Sequence, residues 1–132
     1  MNVFIDTSAF YAVLDRDDDN HQKAKKAWID QVRSENILVT TNYVLVETFA
    51  LLQHRLGMDA VRGFQDDVTP LVNIEFVTFE IHRVGASALL SASRRNLSLV
   101  DCVSFEMMRT LGIKTVFTFH PHFREQGFAI MP

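Results

Sequence analysis

The sequence predicts an α/β fold in which helices cover both faces of a mostly parallel sheet of four to five strands. Two observations carry that expectation. Short apolar runs alternate with segments whose apolar residues recur every three or four positions, the pattern of repeated strand–helix units. The chain is also long enough to bury a core. It has 132 residues, 48% of them hydrophobic and eleven of them Phe. About two-thirds of the unfolded surface is removed from water at such a size, so neither a disulfide nor a structural metal is needed. No repeat, low-complexity tract or linker divides residues 1–132, and a single domain is expected.

The elements follow in order. Residues 2–5 read as a short buried strand. Ser8 is placed as the N-cap of a short apolar helix, Ala9 to Leu14. Asp15 to Asn20 is an acidic loop. Asn20 caps a helix from His21 to Arg33, whose Ala24, Ala27, Trp28 and Val32 share one stripe. Ile37 to Thr40 is the second strand. Asn42 to Leu56 is a buried helix with Val44, Leu45, Phe49, Leu51 and Leu52, and Gly57 stops it. Asp59 to Val68 is a shorter amphipathic helix ended by Pro70. A third strand spans Ile74 to Phe79, with helices at Glu80 to Arg95 and Ser98 to Leu111. Thr115 to Phe119 is a further strand, and Phe128 to Met131 a candidate fifth.

Bulk properties exclude several classes. The formal charge of −3 argues against a broad basic nucleic-acid platform, although it allows a local basic strip. Cys102 is the single cysteine, so there is no disulfide framework and no Cys-rich zinc pattern. The start, Met-Asn-Val-Phe-Ile-Asp, has no signal-peptide character. The most apolar stretch, Ile37 to Leu52, is too short and too polar to span a bilayer. A cytoplasmic protein is expected.

Three acids share a local context. Asp6 closes the run Val3-Phe4-Ile5, Glu47 lies one turn into the apolar helix after the second strand, and Asp101 follows Leu99-Val100 at the start of another helix. In open α/β sheets, ligands bind beyond the carboxyl ends of the strands, and right-handed crossovers bring those ends to one side. Asp6, Asn42, Glu47, Asp101, His120 and His122 all map to that edge. Carboxylates gathered in one site repel each other, which a divalent cation relieves. Helix N-termini at the same edge favour phosphate. The residues point to a hard-cation, phosphate-handling site. Each acid also has an ordinary explanation in isolation. Asp6 suits a cap or turn, Glu47 could face solvent, and Ser98-Leu-Val-Asp101 fits a capping box.

Four segments carry a family likeness: Val3-Phe4-Ile5-Asp6-Thr7-Ser8-Ala9, Thr41-Asn42-Tyr43-Val44-Leu45-Val46-Glu47-Thr48, Ser98-Leu99-Val100-Asp101-Cys102-Val103-Ser104-Phe105 and Val116-Phe117-Thr118-Phe119-His120-Pro121-His122-Phe123. In order and spacing they resemble the PIN-domain ribonucleases, most of all the VapC-type toxins of toxin–antitoxin pairs. The likeness spans essentially the whole chain. It implies a three-layer α/β/α sandwich, an endoribonuclease site using Mg²⁺ or Mn²⁺, 5′-phosphate and 3′-hydroxyl products, a protein antitoxin and a homodimer. By that resemblance Asp6, Glu47 and Asp101 are catalytic, metal-binding acids. Thr7, Ser8, Asn42 and Ser104 are supporting polar residues.

The chain departs from the family pattern at His120, where members commonly carry a fourth acid. A neutral imidazole removes one negative charge and offers nitrogen, which Mg²⁺ accepts poorly and Mn²⁺ or Zn²⁺ accepts better. Three outcomes are open: one cation held by three acids, His120 touching a softer metal or the scissile phosphate, or loss of activity. Two function classes therefore compete with the nuclease. One is a non-catalytic PIN-like binding or scaffold protein with a degenerate metal site. The other is a phosphatase-like α/β enzyme, although no Gly-rich phosphate loop is present.

Other signals are weaker. Asp15-Arg-Asp17-Asp-Asp19 starts like a calcium loop, but Asn20 and Lys26 stand where Gly and Glu are required, so it reads as a solvated loop. Lys23, Lys25, Lys26, Arg94, Arg95 and Arg124 are sources of phosphate contacts or ordinary solvated charge. His21, His54 and His82 read as surface or helix residues, His122 as a loop residue and Cys102 as a small buried thiol.

Overall fold

The computed structural model describes residues 1–132. Its sheet is built from β1 (Asn2–Ile5), β2 (Ile37–Thr41), β3 (Asn73–Glu75), β4 (Thr115–Phe117) and β5 (Ala129–Met131). The order is β3-β2-β1-β4-β5, and every pairing is parallel. Successive residues of a strand point to opposite faces, and Val3, Phe4 and Ile5 are all fully buried. Both faces of β1 are therefore covered, as a parallel sheet requires. The covering helices are α1 (Thr7–Leu14), α2 (His21–Arg33), α3 (Asn42–Arg55), α4 (Met58–Gly63), α5 (Phe79–Ala92), α6 (Leu99–Leu111) and α7 (His122–Glu125). The expected α/β sandwich is present, with a sheet that is wholly parallel.

Two aromatic groups fill the core. Phe64 meets Phe10 edge-on at 5.0 Å between centroids and Phe49 at 5.7 Å. Phe105 meets Phe123 edge-on at 4.9 Å. Phe4, Phe10, Phe64, Phe117 and Phe123 are all fully buried, whereas Phe76 and Phe79 are exposed.

Several element boundaries differ from the sequence-based expectation. The first helix starts at Thr7, with Asp6 instead of Ser8 as its N-cap. Asn20 precedes α2 but makes no side-chain capping bond. The expected helix over residues 59–68 is only one turn and a half of α-helix. A π-turn, Phe64–Val68, and a 3₁₀ turn, Thr69–Leu71, follow. The third strand stops at Glu75, not Phe79. There the Val77 amide donates to Asn42 Oδ1 (2.8 Å), and Thr78 caps α5. These side-chain acceptors compete successfully with the sheet ladder. Helix α5 ends at Ala92, and Ser93 follows in the left-handed conformation (φ 52°). The fourth strand ends at Phe117, and α7 holds His122, which the sequence had suggested was in a loop. His21 opens α2, the helix place the sequence allowed it. It is buried, with Nδ1 2.8 Å from the Ala12 carbonyl. No helix is long and apolar enough to cross a membrane.

Candidate active site

The strand order reverses between β1 and β4, and the crevice beyond that point is where α/β sheets bind ligands. Asp6 occupies it. Its amide still donates to the Phe117 carbonyl of β4 (3.1 Å) while its side chain caps α1. Three protein donors converge on one carboxylate oxygen, Oδ2: the Ser8 hydroxyl (2.9 Å), the Thr118 hydroxyl (3.0 Å) and the Ser8 amide (3.4 Å). The two hydroxyls are completed in turn. Ser8 Oγ accepts from the Phe119 amide (3.0 Å), and Thr118 Oγ1 accepts from the His120 amide (2.9 Å). Each hydroxyl proton is thereby directed at Asp6, and Oδ1 is left without a protein donor.

Asp101 repeats the arrangement. Ser98 Oγ accepts from the Asp101 amide (3.0 Å), and Asp101 Oδ2 accepts from the Ser98 amide (3.1 Å). This is the capping box visible in the sequence. It occupies Oδ2 only, so capping and a site role coexist. Substituting Ser98→Ala is expected to cost about 1 kcal/mol of stability. It should also weaken stabilisation by added Mg²⁺, because Asp101 loses its orientation. Thermal unfolding with and without Mg²⁺ checks both, and an unchanged melting temperature would refute the capping argument.

Glu47 comes from α3, half-buried on the face toward α1. Between the two helices, Thr48 donates back to the Val44 carbonyl (2.7 Å), and its hydroxyl oxygen lies 3.1 Å from that of Thr7. Asp6, Thr7, Ser8, Glu47, Asp101 and His120 all line one cleft of about 380 Å³. Leu51, Arg55, Asn96 and Ser98 complete its wall.

The electrostatics of this cleft are unbalanced. None of the three acids belongs to an ion pair; those present are Arg62–Asp59, Arg83–Glu80, Arg94–Glu125 and His122–Glu125. Burial pushes the Asp6 carboxyl above the ordinary carboxylate range. The Ser8 bond opposes this, the charge of Asp101 adds to it, and Thr118 opposes it. Burial also raises Glu47. The Thr7 hydroxyl works against that shift, and the charges of Asp6 and Asp101 reinforce it. Oxygen donors free of protein partners and a surplus of negative charge fit a hard divalent cation.

A tighter cluster lies beside the acids. One donor atom each from Asp101, His120 and His122 fall within 4.8 Å of one another, the only trio of metal-ligating side chains to do so. The three predicted acids line the same cleft more widely spaced. His120 and His122 rings are 4.5 Å apart, and His120 Nδ1 is enclosed without a partner. His122 is anchored. Its Nε2 lies 3.0 Å from the Asn96 carbonyl, and its Nδ1 lies 3.4 Å from Glu125 Oε2 and from Arg94.

The family model for the PIN domain matches residues 3–129. The chain belongs to the PIN-domain family. A similar protein is the 23S rRNA-specific endonuclease VapC20 of Mycobacterium tuberculosis. It is 32% identical over 127 residues, covering 96% of this chain and 95% of the relative. The crystal structure of that VapC20, described as a Sarcin-Ricin loop cleaving toxin, superposes with a TM-score of 0.88 at 30% identity. It covers 98% of this chain and 99% of the other. More distant structures share the PIN fold alone. VapBC2 from Rickettsia felis, bound to a DNA fragment from its promoter, has a TM-score of 0.72 at 10% identity, covering 98% and 97% of the chains. FitAcB from Neisseria gonorrhoeae has 0.69 at 14%, covering 100% and 97%.

On this PIN fold the predicted residues divide. Asp6, Thr7, Ser8, Glu47, Asp101 and His120 reach the cleft; Asn42 and Ser104 do not. Asn42 holds the Val77 amide, and Ser104 is fully buried with an unpartnered hydroxyl. Thr118, Leu51, Arg55 and Asn96 were not singled out from the sequence. A signal existed for two of them, since Leu51 and Arg55 follow Glu47 by four and eight residues on one helical stripe. Cys102 is buried, and burial with the charge of Asp101 raises its thiol, which leaves it unreactive.

Proposed function

We propose that this PIN-domain chain is a divalent-cation-dependent endoribonuclease of the VapC type, the toxin partner of a protein antitoxin. The observation that carries the reading is three uncompensated carboxylates from three separate elements lining one cleft at the sheet's switch point. The likeness to VapC20 over nearly the whole of both chains supports it.

Asp6 and Asp101 would hold the cation through the oxygens that carry no protein hydrogen bond, with Glu47 directly or through water. When bound, Mg²⁺ or Mn²⁺ supplies Lewis-acid polarisation of a phosphoryl oxygen and acidifies water. The protein does the rest. Ser8 and Thr118 fix the orientation of Asp6. Glu47, whose affinity for protons is raised, suits the role of base accepting the proton of the attacking water. Thr7, Asn96 and Ser98 line the cleft with the acids. Asn42 and Ser104 support the site from outside the cleft.

An antitoxin would complement the acidic cleft with Arg or Lys. Phe76, Phe79 and Leu90, each more than 70% exposed, favour protein partners, an antitoxin or a second copy in a homodimer. The reading is of a cytoplasmic protein.

Incubation with RNA tests the function. Cleavage is expected with Mg²⁺ or Mn²⁺ and none with EDTA; cleavage that survives EDTA would overturn the mechanism. His120 favours a second reading, a PIN-like scaffold with a degenerate metal site, because imidazole stands against Asp101 where a further acid would add charge. The variant His120→Asp separates the two. It is expected to tighten Mg²⁺ binding, measured by calorimetric titration, by on the order of tenfold, the effect of one added charge–cation contact of about 1.4 kcal/mol. Unchanged affinity would place His120 outside the metal shell.

A further inference from the structure

We propose that Arg55 clamps an RNA phosphate flanking the bond to be cut, on a platform made by Tyr11 and Asp15. The proposal rests on the ribonuclease reading above and names how that site takes hold of its substrate.

A polyanion entering this cleft meets three carboxylates. Only one residue of the cleft wall carries a permanent positive charge, and it is Arg55. Despite that company Arg55 forms no ion pair. Its guanidinium lies over the Tyr11 ring instead, 5.3 Å from the centroid. Tyr11 is fixed in place. It is buried, its hydroxyl donates to Asp15 Oδ2, and Asp15 Oδ1 accepts from the Asp17 amide (3.0 Å). A guanidinium carries five N–H donors, so one held over an aromatic ring can still offer a pair to a bidentate anion, and an Arg so held loses little further freedom on binding.

Its position selects which phosphate it meets. Glu47, Leu51 and Arg55 form one stripe of α3, and eight residues of helix advance about 12 Å. On α1, Tyr11 lies one turn, about 6 Å, beyond Thr7. Both helices thus carry the guanidinium past the acids, toward a neighbouring nucleotide. The acidic Asp15–Asp19 loop acts here through Asp15, as the tether of the platform. Arg55 is exposed, so its contribution to the fold is small and its charge is available.

The test uses a fluorescein-labelled RNA of mixed sequence. Binding is measured by anisotropy over a salt series in the Asp6→Asn background, with and without Arg55→Ala. Cleavage kinetics with Mn²⁺ compare the otherwise native protein with Arg55→Ala, Arg55→Lys and Tyr11→Leu. Loss of Arg55 is expected to weaken binding about tenfold, equally across sequences, and to reduce the salt slope by about 0.7. KM should rise with kcat little changed. Arg55→Lys should recover part of the loss, and Tyr11→Leu should resemble a partial loss of Arg55. The Mg²⁺-induced shift in melting temperature should stay as in the parent. If the parent cuts RNA but Arg55→Ala keeps the same KM and salt slope, the clamp is wrong. A lost metal-induced shift, or an equal loss from Arg55→Ala and Arg55→Lys traced to a lowered melting temperature, would also overturn it. If the parent cuts no RNA at all, the ribonuclease reading fails first.

Discussion

Replacing Asp6 with Asn is expected to lower RNA cleavage by at least two to three orders of magnitude while making the metal-free protein more stable. The two effects have one cause. Asp6 is almost fully buried and faces the charge of Asp101, so the folded state holds its carboxylate at a cost. Asn keeps an oxygen for Ser8 and Thr118 and removes the charge. It cannot hold a hard cation as a carboxylate does, and losing about 3–4 kcal/mol of a cation's contribution corresponds to two to three decades of rate. The sign of the pH dependence follows. A carboxyl raised above its unfolded value binds more protons in the native state. Stability of the metal-free protein therefore falls as pH rises from the unfolded value through the folded one. Subtracting the Asp6→Asn stability curve from the parent's isolates this contribution. Added Mg²⁺ should stabilise the parent at neutral pH, progressively less on acidification, and the variant hardly at all. A variant that melts below the parent without metal, or that cleaves equally well, would refute the account.

Gly85→Ala is expected to destabilise the fold by about 1 kcal/mol. Gly85 lies in α5 against Val103 of α6. A Cβ there would sit 2.7 Å from Val103 Cγ2 and 3.1 Å from both the Cα and the amide nitrogen of Val103. The methyl of Val103 can rotate away, but the backbone contacts can be relieved only by separating the helices. Overpacking of this kind costs about 1–3 kcal/mol, from which the better helix propensity of Ala returns up to about 1. Asp101 lies two residues before Val103, so the displacement should reach the site and lower Mg²⁺ affinity as well. Urea unfolding gives the loss. The double variant with Val103→Ala should recover only part of it, because the backbone contacts remain. A neutral or stabilising Gly85→Ala would show that the helices part without strain.

Much of this molecule was legible in the chain because the relevant physics is local. The strand at residues 2–5, the helix starts at His21 and Asn42, and the Ser98–Asp101 capping box depend on hydrogen bonds and apolar spacing within a few residues. The expectation failed where two local preferences competed. Ser8 is a good cap, yet Asp6 takes that position, and Ser8 is drawn to Thr118, 110 residues away. Residues 76–78 have strand-like character, yet Asn42 captures the Val77 amide from 35 residues away. Residues 64–68 were expected to continue an α-helix and instead widen into a π-turn, with Phe64 seated between Phe10 and Phe49.

The site divides along the same line. Residue type and position relative to strand ends were enough to nominate Asp6, Glu47, Asp101 and His120, because a parallel sheet delivers its strand ends to one edge. Distances and orientations at that edge are a property of packing. The packing of the strands and helices brings Thr118 onto Asp6, seats His122 beside Asp101 and His120, and removes Asn42 and Ser104 from the cleft. Arg55 shows the difference most clearly. In sequence it is one more charge at the end of a helix. Folding brings Tyr11 of α1 beneath it, and that contact across two helices gives the cleft its only fixed positive charge.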